Sequence, residues 1–101
     1  MKSTILKCIE ESIEVKKLVL SNDKIINNIE SIVIKSVAAF SEDKKMLLCG
    51  NGGSCSDAQH IAAELSGRFY KDRKPLFAEA LHVNSSFVTA VANDYGFDNI
   101  Y

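Results

Sequence analysis

Between residues 3 and 20 the apolar positions Ile5, Leu6, Ile9, Ile13, Leu18 and Val19 recur at helical spacing, with Glu and Lys between them. A backbone of 3.6 residues per turn gathers such positions onto one stripe, so the pattern predicts an amphipathic helix with one face to bury. Ser21, Asn22 and Asp23 then offer side-chain oxygens to cap a second helix, where Ile25, Ile29, Ile32, Val33, Val37 and Phe40 repeat the period. Residues 1–40 are read as two leading helices.

The pattern changes after the polar stretch 41–45. Residues 46–49, Met-Leu-Leu-Cys, form a short apolar run that ends in Gly50-Asn51-Gly52-Gly53-Ser54, which predicts a buried strand feeding a glycine-rich turn. Residues 56–66 place Ala58, Ile61, Ala62 and Leu65 at helical spacing, with Ser54 or Ser56 as the cap and Gly67 as the stop. A charged loop over 70–75 leads to a second predicted strand over 76–83 and a helical segment over 87–93. Residues 45–101 therefore read as a βαβ portion with a parallel pair of strands, and the fold class as α/β. Two parallel strands rarely form a self-sufficient sheet, so the chain is expected to be the N-terminal part of one domain, incomplete at its C-terminal end.

Composition narrows the function classes. A net charge of −1 with scattered Lys and Arg leaves no footprint for nucleic acid or an anionic membrane. No apolar run approaches the roughly 20 residues of a membrane helix. Cys8, Cys49 and Cys55 are odd in number and lack CxxC spacing, which argues against a disulfide framework and for a reducing, cytoplasmic setting. Cys49 reads as core, Cys8 as part of a helix face and Cys55 as a small packing residue.

A glycine-rich turn between strand and helix lets backbone approach a ligand, and free N–H groups at the helix start favour an anion. The run GNGGS matches neither the dinucleotide fingerprint, since Cys55 stands where a glycine is needed, nor a Walker A loop. On the glycines alone, a tight turn without a ligand competes seriously. His60 and Glu64 are four residues apart, so they share a face of the predicted helix, where they could hold a divalent metal or, through the carboxylate, act as a base. Taken alone, such a pair is more often a solvated histidine beside an exposed glutamate.

The segment GNGGSCSDAQHIAAELSGRF over residues 50–69, followed by TAVANDYGF over 89–97, resembles the two landmark segments of the phosphoheptose isomerases of the SIS-domain type. The resemblance covers essentially the whole chain. It implies a flavodoxin-like parallel sheet flanked by helices, preceded by two helices that act as interface elements of a homotetramer. It also implies interconversion of sedoheptulose 7-phosphate and D-glycero-D-manno-heptose 7-phosphate through an enediol, in bacterial heptose biosynthesis for lipopolysaccharide or capsule.

Carried over position by position, the resemblance implies that Asn51, Gly52 and Gly53 contact the sugar phosphate and that His60 is a zinc ligand. Glu64 would serve both the metal and the proton transfer. Asn93 and Asp94 would line the substrate site, and Arg68 would orient an anionic or polyhydroxylated ligand. A Ser/Thr-rich phosphate loop and a further Gln and His are expected in the half that would follow Tyr101. The stretch 81–86 departs from the Thr/Asp-rich turn usual in the family, and His82 reads as a solvent-facing residue at a strand end. Non-catalytic SIS relatives, which bind the replication initiator or sense sugar phosphates, are the alternative; the initiator-binding kind generally lack a counterpart of Glu64.

Overall fold

The computed structural model describes residues 1–101 and opens with helices α1 (Lys2–Leu20) and α2 (Asp23–Ser41). The turn between them closes through Ser21 N–H to Lys17 O at 3.0 Å and Asn22 N–H to Val19 O at 3.1 Å. Of the three candidate caps, Asn22 takes the role: its Oδ1 accepts from Ile25 N–H at 3.2 Å, satisfying a donor the helix itself cannot. Along α1 the charged positions pair on the surface, Lys17 with Glu14 at 2.7 Å and Lys7 with Glu11 at 3.7 Å. Neither helix buries a residue, and apart from half-buried Val19 and Phe40 the apolar stripes predicted from the sequence stand open to solvent. No helix is long and apolar enough to cross a membrane.

The chain divides into two compact units, Met1–Val37 and Ala38–Tyr101. In the second, α2 ends in a turn that Asp43 completes at φ 53°, a left-handed conformation that Asp tolerates better than most side chains. The chain then forms β1 (Met46–Leu48), α3 (Gly53–Ser66), β2 (Ala78–Ala80) and α4 (Ser85–Tyr95). The strands pair in parallel, with Met46 opposite Ala78 and Leu48 opposite Ala80. The α/β class and the parallel crossover are thus as the sequence predicts.

Two boundaries differ. The second strand was expected over 76–83 but spans only Ala78–Ala80, and Leu81–Val83 curl into a 3₁₀ turn. The reason lies in its partner: β1 ends at Leu48, so nothing remains to pair with the chain beyond Ala80. Helix α3 begins at Gly53 rather than at residue 56, and neither Ser54 nor Ser56 caps it, because the glycine turn itself supplies the first helical carbonyls. Its end at Gly67 is as expected, with Gly67 N–H on Ala63 O at 2.8 Å. Cys49, expected in the core, is exposed, because it continues the alternation that also turns Leu47 away from the core face of β1.

The core of the second unit is built from alanines. Ala58 and Ala62, one turn apart on α3, meet Ala78 and Ala80, which point to the same face of β2. Met46, Leu48 and Leu65 pack around them. Side chains of one carbon let the helix lie close on the strand, and Ala80 keeps only 2% of its surface. Enlarging it should be costly. Replacing Ala80 by Leu is expected to lower the free energy of unfolding by about 1–3 kcal/mol, read from the shift in urea midpoint. Replacing the outward-facing neighbour Glu79 by Gln should change it by no more than about 0.5 kcal/mol.

Candidate functional site

Both strands run in the same direction, so the turn after β1 and the turn after β2 emerge at one end of the sheet, where open parallel sheets hold ligands. In the first of these turns Gly52 adopts φ 55°, a conformation that favours glycine. Ser54 N–H donates to Asn51 O and Cys55 N–H to Gly52 O, each at 3.1 Å. The amides of Gly52 and Gly53 are left without a partner at the start of α3. These donors at a helix N-terminus suit an anionic or hydroxyl-rich ligand, and the exposed Asn51 side chain stands beside them.

Seven residues, close to two helical turns, separate Gly53 from His60, and Glu64 follows one turn later. All three therefore fall on one stripe of α3. His60 Nε2 and Glu64 Oε1 are 3.2 Å apart. The His60 side chain is 75% exposed and that of Glu64 36%. Beside them lies a shallow hollow of about 330 Å³ whose other walls are Ile61, Leu65 and Phe69. The pair can do two things here. It can share a proton, and it can act as two donors to one cation, because two ligands of a tetrahedral zinc are roughly 3.3 Å apart. The structure gathers no third His, Cys, Asp or Glu with them. A zinc site of three or more protein ligands would need donors from outside these residues.

The last turn of α3, which carries Glu64, is held by a residue to which the sequence assigned no role. Arg73 donates from Nη1 to Leu65 O at 2.9 Å, Lys74 O at 3.2 Å and Gly67 O at 3.4 Å, and from Nη2 to Glu64 O at 3.1 Å. Carbonyls at a helix C-terminus have no intrahelical donor and carry partial negative charge, so a guanidinium answers both needs. Leu76 N–H adds a bond to Leu65 O at 3.1 Å. In the sequence Arg73 is one of several cations in the loop 70–75, and nothing distinguishes it there from Lys71 or Lys74.

The other expected site residues are not drawn into this group. Arg68 is exposed in the loop after α3 and makes no hydrogen bond or ion pair. Asn93 and Asp94 lie in the last turn of α4, where Asn93 Nδ2 donates to Asp94 Oδ1 at 2.9 Å; no hydrogen bond joins them to α3. Asn84, in the stretch that departs from the family pattern, caps α4 by accepting from Phe87 N–H at 3.0 Å. His82 is not the solvent-facing residue expected. It is half-buried in the 3₁₀ turn after β2, with Nε2 3.3 Å from Gln59 Oε1 of α3 and an enclosed Nδ1 that has no partner. A second hollow of about 270 Å³, walled in part by Phe40, Lys44, Lys74 and Pro75, lies where the strands begin and touches none of the candidate residues.

The SIS domain profile matches residues 10–101 of this chain. The phosphoheptose isomerase of Sulfurimonas denitrificans is 46% identical over 101 residues, covering 100% of this chain and 52% of the relative. That of Clostridium acetobutylicum is 48% identical over the same span and coverage. Among solved structures, phosphoheptose isomerase GmhA from Neisseria gonorrhoeae superimposes with a TM-score of 0.79 at 36% identity, over 99% of this chain and 50% of that one. The chain spans about half the length of the relatives it matches.

Removing the guanidinium should loosen the end of α3 without abolishing the fold. Arg73→Ala is expected to destabilise the protein by about 1.5–3 kcal/mol, with Arg73→Lys recovering only part, since a single ammonium nitrogen lacks the planar fork with which Nη1 and Nη2 reach Leu65 O and Glu64 O together. Amide exchange in the last turn of α3 should quicken in both variants.

Proposed function

The chain belongs to the SIS domain family, and on that premise we propose that it is the N-terminal part of a sugar-phosphate aldose-ketose isomerase acting on sedoheptulose 7-phosphate. The observation that carries the reading is the single stripe on α3 that joins the unpartnered amides of Gly52 and Gly53 to the His60–Glu64 pair. A site for this reaction must hold a polar, phosphorylated chain and place a base at a carbon next to a carbonyl. The resemblance to phosphoheptose isomerases along the whole chain supports the same substrate class.

In the proposed reaction the Glu64 carboxylate removes a proton from C1 of the ketose, and the C1–H electron pair becomes the double bond of an enediol as the C2 carbonyl oxygen gains a proton. Return of a proton to C2, with loss of the C1 hydroxyl proton, yields the aldose D-glycero-D-manno-heptose 7-phosphate. A carboxylate suits the carbon-bound proton, and no redox cofactor is needed. Asn51 and the amides of Gly52 and Gly53 would bind and orient the substrate, with Arg68, Asn93 and Asp94 contributing once the site is complete. His60 and Glu64 would hold zinc together with donors from elsewhere in the protein. Zinc, when bound, would stabilise negative charge developing on the substrate oxygens.

A cytoplasmic homotetramer that supplies heptose for lipopolysaccharide or capsule completes the proposal. The uncovered apolar stripes of α1 and α2, with Ile9 of α1 53% exposed and Ile29 of α2 49%, support assembly through these helices.

The test is an isomerase assay of the full-length protein with and without added zinc. The wild type should convert sedoheptulose 7-phosphate, Glu64→Gln should lose about 10²–10⁴-fold in kcat, and His60→Ala should lower both zinc content and activity. A wild-type protein that folds and assembles yet converts nothing would contradict the proposal and favour an interaction or sensing module on the same fold.

A further inference from the structure

The carbonyl of Gly50, where the chain leaves β1 for the glycine turn, accepts a hydrogen bond of 2.6 Å from the hydroxyl of Tyr101. The two residues are 51 positions apart, and the bond ties the chain just beyond the second landmark segment to the start of the first. The path that brings Tyr101 back is built in. Gly96 ends α4 at φ 95°, and a 3₁₀ turn over Phe97–Asn99 reverses the chain. Ile100, only 7% exposed, anchors the chain immediately before the tyrosine.

Gly50 has little freedom on its other side. A side-chain carbon there would lie 2.6 Å from the backbone of Ser54, so the first turn of α3 rests directly on it. The peptide unit is planar, and the Gly50 oxygen and the Asn51 N–H therefore turn together. Whatever holds that oxygen fixes the direction in which the chain enters Asn51, Gly52 and Gly53. Tyr101 itself remains 47% exposed, so its bond contributes more to the aim of the turn than to the stability of the fold.

We propose that Tyr101 is a positioning residue: its hydroxyl, through the Gly50 carbonyl, holds the 50–54 turn in the conformation that presents Asn51 and the amides of Gly52 and Gly53 to the substrate. The inference rests on the isomerase reading of the site and deepens it. Tyr101 touches no reacting atom, so its removal should act on binding more than on the proton transfer at Glu64.

The experiment compares Tyr101→Phe with wild type in the full-length protein, with sedoheptulose 7-phosphate as substrate. The phenylalanine keeps the ring and loses only the hydroxyl. KM should rise about five- to tenfold, kcat should stay within about twofold, and the melting temperature should fall by no more than a few degrees. The amide signals of Gly52 and Gly53 in the ligand-free protein should also shift. Unchanged KM and unchanged amide signals, whatever the melting temperature does, would overturn the assignment. Asn51→Ala, run in parallel, separates two failures. If Asn51→Ala is impaired while Tyr101→Phe is not, only the positioning role falls. If Asn51→Ala is as active as wild type, the substrate role of the turn falls and the positioning role with it.

Discussion

The second unit depends on the close approach of α3 to β2 across four alanines. Ala58 and Ala62 on the helix and Ala78 and Ala80 on the strand leave no room for longer side chains, and this contact fixes the height of the helix above the sheet. Everything of chemical interest hangs on that helix. Its N-terminus presents the unpartnered amides, its exposed face carries His60 and Glu64, and its C-terminus is tied down by Arg73. A helix resting on larger residues would stand further from the strand ends, and the glycine turn between β1 and α3 is too short to absorb such a shift.

Three restraints of different kinds then sharpen the arrangement. Gly50 admits the backbone of Ser54 at a distance no side chain would allow, Arg73 neutralises the carbonyls of the last turn, and Tyr101 holds the carbonyl at the entrance to the turn. The result is a preorganised stripe about three turns long, with anion-ready donors at one end and a carboxylate and imidazole at the other. Preorganisation of this kind is what isomerisation through an enediol demands, since the base and the charge-stabilising groups must already be aimed when the proton moves. The open apolar faces of α1 and α2, and the hollow beside Glu64 with its Ile61 and Phe69 walls, are surfaces that the assembled protein is proposed to cover.

Much of this was legible in the sequence because it is written in local periodicity and local chemistry. The two leading helices and the shared face of His60 and Glu64 follow from helical spacing, the first strand and the stop at Gly67 from a short apolar run and a glycine, and the α/β class and parallel pair from the order strand, helix, strand. What could not be read depends mainly on partners distant in the chain. The second strand is shorter than its apolar run suggests because its length is set by where β1 ends, and Cys49 faces outward because an unbroken run of four apolar residues hides the alternation that also exposes Leu47. His82 was placed in solvent although Gln59, 23 positions earlier, meets it in the folded chain. Arg73 and Tyr101 carry no motif at all, and only the fold brings them to the carbonyls they serve.

The central claim is that Glu64 moves a carbon-bound proton of the substrate. The most direct test is to incubate the full-length protein and its Glu64→Gln variant with sedoheptulose 7-phosphate in deuterium oxide and follow the carbon-bound hydrogens by NMR. The account predicts that the wild type forms the aldose and introduces solvent deuterium at the reacting carbons, and that the variant does neither at a comparable rate. Exchange continuing at the wild-type rate in Glu64→Gln would contradict it.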